Sequence, residues 1–140
     1  MPDSIQARLV ERVKELTALH RMARLLQDTD RPLADVMAEV VSLLPAAWQY
    51  PEITCARIMF KGKTFKSQGL RVTQWRQSSQ IFMYNEPVGD VTIFYLEERP
   101  PAHEGPFLFE ERALLEAVAR CAGHAWDPES IRKHAQTLSN

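Results

Sequence analysis

The sequence predicts an α+β fold built on an antiparallel β-sheet. Helical periodicity is found at both ends of the chain, whereas the middle reads as short strands separated by tight turns. Neighbouring short strands joined in this way favour antiparallel pairing. The length of 140 residues suits one domain whose core is stable without metals or disulfides.

The first predicted helix covers residues 3–28 and is followed by a second over residues 32–44, which Pro45 ends. In the first helix, apolar or small residues recur in alternating steps of four and three, while charged residues occupy the other faces. This stripe resembles a short coiled-coil seam. Its members are Leu9, Val13, Leu16, His20 and Ala23.

Strands are predicted over residues 53–60, 64–67, 72–84 and 91–96, with a turn at residues 85–89 and a third helix over residues 108–125. The last strand, VTIFYL, is apolar on both parities, with Val91, Ile93 and Tyr95 on one side and Phe94 and Leu96 on the other. We therefore expect it to be central and covered on both faces. Helices can cover one face, and the other requires loops, a ligand or a partner.

Composition argues against several classes of function. The net charge is −1, with 45% hydrophobic and 25% charged residues, so neither a nucleic-acid groove nor a surface for anionic lipid is expected. The two cysteines, Cys55 and Cys121, lack a metal-binding spacing, and no histidine stands at ligand spacing from another. We expect a soluble, cytoplasmic protein without signal peptide, membrane span, metal or cofactor.

Several segments together resemble a GAF domain. The opening ELTALHRMARLLQDTDRPLADVMAEVVSLLP is similar to the family's first two helices, VGDVTIFYLEE to its final strand, and FLFEERALLEAVARCAG to its last helix. The segment WQYPEITCARIMFKGKTFKS resembles a compact subgroup found ahead of bacterial and archaeal sensor histidine kinases. The resemblance covers about residues 12–124.

This resemblance implies a profilin-like antiparallel sheet with the amphipathic N- and C-terminal helices on one face and a small-molecule pocket on the other. Residues 1–126 would form a single GAF-like domain, with residues 127–140 as a polar tail. Members of the family act in signal transduction, as ligand sensors or as dimerising regulatory modules.

Five residues are candidates for a ligand pocket, because aromatic rings with a cation can bind a small acid or a planar ligand. The alternative for the two tryptophans is that they fill the edge of the core. Arg57 either faces inward, where it needs an anionic partner, or lies on the sheet surface. The candidates are Trp48, Tyr50, Arg57, Trp75 and Arg76.

A helix with apolar residues on several sides has more surface than one sheet can bury, and two-fold pairing commonly covers the excess. The terminal helices are therefore expected to form a homodimer, in which His20 is either a polar residue that sets the register or a partly exposed one. The predicted contact residues are Leu9, Val13, Leu16, Leu19, Ala23, Val118 and Ala122.

The sequence thus predicts a non-catalytic sensory or regulatory domain that binds a small molecule or a signalling partner. A purely structural interaction module without a ligand is the second hypothesis, and the short connections favour it. The third is a redox enzyme of the methionine-sulfoxide reductase type. Such enzymes need several cysteines in loops, which Cys55 in a strand and Cys121 in a helix do not match.

Overall fold

The computed structural model describes residues 3–27 and 30–125, and the predicted tail at residues 127–140 lies outside them. Within this part of the chain, the α+β class is confirmed: three α-helices accompany one four-stranded sheet. Short 3₁₀ segments at Leu44–Ala47 and Pro51–Ile53 join the second helix to the first strand. The elements are α1 (Asp3–Leu26), α2 (Leu33–Leu43), β1 (Thr54–Phe60), β2 (Lys63–Lys66), β3 (Arg76–Met83), β4 (Glu86–Tyr95) and α3 (Phe109–Ala125).

The sheet has the order β2-β1-β4-β3, and every neighbouring pair is antiparallel. Strands β1 and β4 form the centre, where Ala56 pairs with Ile93 and Ile58 with Val91. The predicted central position of the VTIFYL segment is confirmed, because its residues from Val91 to Tyr95 are all buried. The sheet is thus two hairpins joined through their inner strands.

All three helices contribute to a hydrophobic core on one face of this sheet. Alternate residues of the strands, such as Ile58 and Ile93, join α2 and α3 side chains in that core and are completely buried. Among the α1 side chains that the structure describes, those that join the core are Met22 and Leu26, with Ala18, Leu19 and Leu25 packed around them in the C-terminal half of the helix. The alternation of buried residues therefore defines a helix-covered face and an opposite face.

The turn between β3 and β4 differs from the predicted one. Only Tyr84 and Asn85 form it, with φ angles of 52° and 64°. Two left-handed residues match the twist of the flanking strands, so a two-residue hairpin is favoured. Residues 86–89, which were predicted to belong to the turn, instead form the start of β4. Within them, Gly89 lies against the backbone of Met59 in β1.

Candidate functional site

The structure does not bring the five predicted pocket residues together. Trp48 is completely buried in the core, and Tyr50 and Trp75 pack against that core on the helix-covered side. Arg57 and Arg76 lie at register positions of the opposite face, beside Thr92 and Phe94 respectively. The three aromatic residues therefore stabilise the core edge, and the two arginines belong to a separate surface.

Trp48 anchors a chain of polar contacts that links the core to α3. Its indole Nε1 donates to Gln77 Oε1 at 2.8 Å, and Gln77 Nε2 donates to Glu104 Oε1 at 3.0 Å. Arg112 then holds both oxygens of Glu104, with Nε at 2.9 Å from Oε1 and Nη2 at 2.5 Å from Oε2. Arg112 Nη1 also donates to the Ser78 carbonyl at 2.8 Å, which ties α3 to the edge strand β3.

The ion pair in this chain should make stability depend on pH. The hydrogen bond from Arg112 lowers the pKa of Glu104 below its ordinary value of 4.5, although partial burial opposes the shift. Because the folded-state pKa is the lower one, the stabilisation is present above pH 4.5 and is lost as the pH falls through the folded value. Thermal melts of the wild type and Glu104→Gln should therefore differ at pH 7 and converge at an acid pH below the folded-state pKa of Glu104.

Glu97→Gln is the control for that comparison, because Glu97 is more exposed and its contact with Arg99 is longer, at 3.4 Å. Its melting temperature should stay close to that of the wild type at both pH values. A Glu104→Gln deficit that persists unchanged at acid pH would contradict the assigned role of the carboxylate.

Away from the helices, the sheet presents a polar surface that we call the open face. It consists of alternate residues of the four strands, assigned by their register positions. Most of them are polar or charged, yet Phe94 at the centre is completely buried. The open face comprises Cys55, Arg57, Met59, Thr64, Lys66, Arg76, Ser78, Gln80, Asp90, Thr92 and Phe94.

Two guanidinium groups account for part of the burial of Phe94. The Cζ of Arg57, from β1, lies 5.3 Å from the centre of the Phe94 ring, and that of Arg76, from β3, lies 5.8 Å from it. Both distances fall within the range of cation–π attraction. The second cover that the VTIFYL pattern required is therefore supplied in part by arginine side chains of the neighbouring strands.

The Arg57 guanidinium is only partly satisfied by the protein. Its Nε is buried, and no hydrogen-bond acceptor for it occurs within the described residues. Asp90 lies on the same face, but Thr92 Oγ1 donates to it at 3.3 Å, and no ion pair joins it to either arginine of the cluster in this part of the chain. A buried donor without an acceptor calls for an explanation.

A second surface is formed by the N-terminal half of α1. Leu9, Val13 and Leu16 expose 60%, 61% and 56% of their surface, and His20 follows them on the same stripe and is also exposed. We call these four residues the outer face of α1. Successive helical residues turn by about 100°, which places the outer face roughly opposite Met22 and Leu26, the residues that enter the core.

The structure divides the seven predicted dimer residues. Leu19 is half-buried beside the core and Ala23 is half-buried, while Val118 and Ala122 of α3 are buried inside the chain's own core. Val118 and Ala122 are not accessible to a partner at the surface, because α3 uses its apolar side to cover the sheet. Of the seven, Leu9, Val13 and Leu16 are the ones whose side chains are exposed to a partner.

Two grooves were not predicted from the sequence. One, of about 420 Å³, runs between the edge strand β3 and the end of α3, and the other, of about 410 Å³, lies between α1 and α2. Side chains from distant segments meet in both, which leaves no local sequence signal. The first is lined by Gln80, Phe82, Met83, Tyr84, Ala119, Arg120, Gly123 and His124, the second by Arg21, Arg24, Leu25, Glu39 and Leu43.

Cysteines and histidines are dispersed. Cys55 is buried on the open face, with its Sγ 3.8 Å from the Arg71 carbonyl, and Cys121 is half-buried in α3. The His103 ring packs edge-on against Phe109 at 5.2 Å, and His134 lies outside the described residues. Among the residues described, no group of three or more His, Cys, Asp or Glu side chains could hold a metal ion.

Comparison with known proteins leaves the family open. No protein-family model matches the chain, and no curated protein or solved structure is significantly similar to it. None of the helices in the described ranges has the length and apolar character needed to cross a bilayer. The GAF-like assignment therefore stays a prediction from the sequence.

Proposed function

We propose that this chain is a non-catalytic regulatory module that pairs with a second copy of itself through the outer face of α1. The observation that carries the proposal is the exposure of Leu9, Val13 and Leu16 along one stripe of a helix whose other side is anchored in the core. Contiguous apolar surface of this kind marks interaction sites in soluble proteins. In this reading, a GAF-like domain would transmit a signal through changes in how the paired helices pack.

The residue types on the outer face favour a second copy of the same helix. Steps of four and three residues place Leu9 and Leu16 at d positions of a heptad and Val13 at an a position. A β-branched residue at a with leucine at d favours two parallel strands. His20 follows at the next a position, where a polar side chain specifies register at some cost in stability.

The tightly held carboxylates support a non-catalytic role. Glu111 is buried and accepts hydrogen bonds from the Leu108 and Gln49 backbone N–H groups, both at 2.8 Å. Glu104 is bound by Arg112 and Gln77. Both groups hold segments of the chain together, a role that accounts for their positions without substrate chemistry.

Pairing can be tested by sedimentation equilibrium. The wild type should form dimers at a protein concentration of about 100 μM, and Leu16→Glu should weaken the dimer by about tenfold or more, because it places a charge in the seam. Val72→Glu is the matched control, since Val72 is similarly exposed, at 55%, but lies in the β2–β3 connection. Its dimer should resemble the wild type.

Two results would overturn the proposal: a wild type that remains monomeric at that concentration, or a dimer that Leu16→Glu leaves intact. Circular dichroism should show both variants folded, because each altered side chain is more than half exposed. Val13→Cys tests the parallel arrangement, in which position 13 meets its own copy across the seam. Oxidation should then yield a covalent dimer, whereas Val72→Cys should yield far less.

A further inference from the structure

We infer that the open face binds a small oxyanion, a carboxylate or phosphate group of an organic ligand, between Arg57 and Arg76 above Phe94. This site is independent of the pairing surface on α1. The inference depends on the register of three strands, the charges placed on them and one buried donor.

The register places the two arginines on the strands that flank β4, and both guanidinium groups approach the ring of Phe94. Phe94 lies on β4, opposite Cys55 of β1 on one side and opposite Arg76 of β3 on the other. Arg57 stands two residues further along β1, and its guanidinium reaches back to 5.3 Å from the ring centre. Since both cations approach the same ring, an anion above Phe94 can contact both.

Positive charge is concentrated at this part of the face. Lys66 is the register partner of Arg57 on β2, so a third cation adjoins the pair. The acidic residue of the face, Asp90, is the register partner of Met59 and therefore a diagonal neighbour of Arg57, but it lies four residues from Phe94 along β4, or about 13 Å. Neither Arg57 nor Arg76 forms an ion pair within the described residues. No ion pair therefore offsets the repulsion between the cations, and an anion would relieve it.

The buried Nε of Arg57 points to a missing acceptor. Burying a donor without an acceptor costs about 1–3 kcal/mol, and more for a charged group. Guanidinium groups bind carboxylate and phosphate through two parallel hydrogen bonds, and Nε takes part in one such pairing mode. An oxyanion at this position would satisfy Nε and a terminal nitrogen together.

Hydroxyl groups lie in the adjoining row. Thr92 is the register partner of both Arg57 and Ser78, and the Ser78 Oγ and Thr92 Oγ1 atoms are hydrogen-bonded at 2.9 Å. Ser78 is exposed and stands two residues from Arg76 on β3, so its hydroxyl oxygen lies at the rim of the site. The arrangement suits a shallow, charge-driven site for a small ligand.

The test uses benzoate and inorganic phosphate as probes, with sodium chloride at matched ionic strength as reference. At least one oxyanion should raise the melting temperature of the wild type above that in chloride, since a ligand specific for the folded state stabilises it. Arg57→Lys and Arg76→Lys keep the charge but remove the planar fork, and each should weaken binding in calorimetric titration by about tenfold.

Arg99→Lys is the matched control. The Arg99 Cζ lies 5.0 Å from the Tyr50 ring centre, so this arginine is also in a cation–π contact, but away from the cluster. Its response to the probes should equal that of the wild type. A response to phosphate alone indicates a phosphorylated ligand, one to benzoate alone a carboxylic acid, and either supports the site.

Absence of any oxyanion effect would overturn the inference, as would equal responses in the wild type and both lysine variants. The latter result would leave the two guanidinium groups as covers for Phe94 only. Leu16→Glu, which disrupts the proposed pairing, should retain the full oxyanion response. Failure of the pairing proposal and failure of this inference are therefore distinguishable.

Discussion

Replacing Glu111 with alanine is expected to lower the free energy of unfolding by about 3 kcal/mol or more. The Glu111 carboxylate is 2% exposed and connects three segments: Oε1 accepts from the Leu108 N–H, and Oε2 accepts from the Gln49 N–H and the Tyr95 hydroxyl. Alanine would leave these donors without that acceptor in a buried environment. Each lost acceptor costs about 1–3 kcal/mol, and the helix loses the side chain that caps its first turn.

Glu110→Ala is the natural control, because Glu110 is the neighbouring acid in the first turn of α3 but is exposed. It should cost less than about 1 kcal/mol, the size of a helix-dipole effect at the surface. Glu111→Gln keeps one acceptor oxygen, so its loss in free energy of unfolding should lie between those of Glu111→Ala and Glu110→Ala. Urea unfolding of the three variants measures the series, and equal midpoints for Glu111→Ala and Glu110→Ala would contradict the assigned role.

The second large effect is expected at Gly89, where β4 passes β1. A Cβ atom at this position would lie 1.8 Å from the Met59 carbonyl oxygen and 2.8 Å from its carbon. Both obstacles are backbone atoms of the adjacent central strand, so the two strands would have to separate. Gly89→Ala should therefore destabilise the protein by about 3 kcal/mol or more, at the upper end of overpacking effects.

Gly62→Ala separates this clash from the general preference for glycine. Gly62 lies in the β1–β2 turn with φ of 82°, and no atom lies within 4 Å of its added Cβ. Gly62→Ala should lower the free energy of unfolding by about 1–2 kcal/mol, because alanine must adopt the left-handed backbone conformation there. In chemical denaturation, the free energy of unfolding of Gly89→Ala should be well below that of Gly62→Ala. The reverse order would show that the strands at Gly89 can move apart.

The elements were predictable because their signals are local. The four-three stripe of α1 and the two-sided apolar pattern around Phe94 both depend on neighbouring residues, and the structure places α1 at Asp3–Leu26 and buries Phe94. The β3–β4 turn was misplaced because Gly89 and Pro87 resemble turn residues. The glycine is needed for the approach of Met59, a contact of long sequence separation.

The candidate site was predictable only in part, for the same physical reason. The two arginines were identified as binding candidates, but the face that Arg57 occupies depends on its pairing with Thr92. Trp48 carries the same aromatic signal as a pocket residue, yet its partner Gln77 lies 29 positions away. Strand register and side-chain networks decide these assignments, and both depend on residues that are far apart in the sequence. A short stretch of sequence therefore does not predict them.

The continuity of α1 from its exposed stripe to its core residues has a mechanical consequence. Leu9 and Met22 belong to one continuous hydrogen-bonded rod and are separated by 13 residues, or about 20 Å along the axis. A helix is stiff over that length, so a small rotation imposed on the Met22 end must appear as the same rotation at the Leu9 end. A change in packing at the Met22 end would therefore be passed to the N-terminal half of α1, and a change at that half would be passed back to the core.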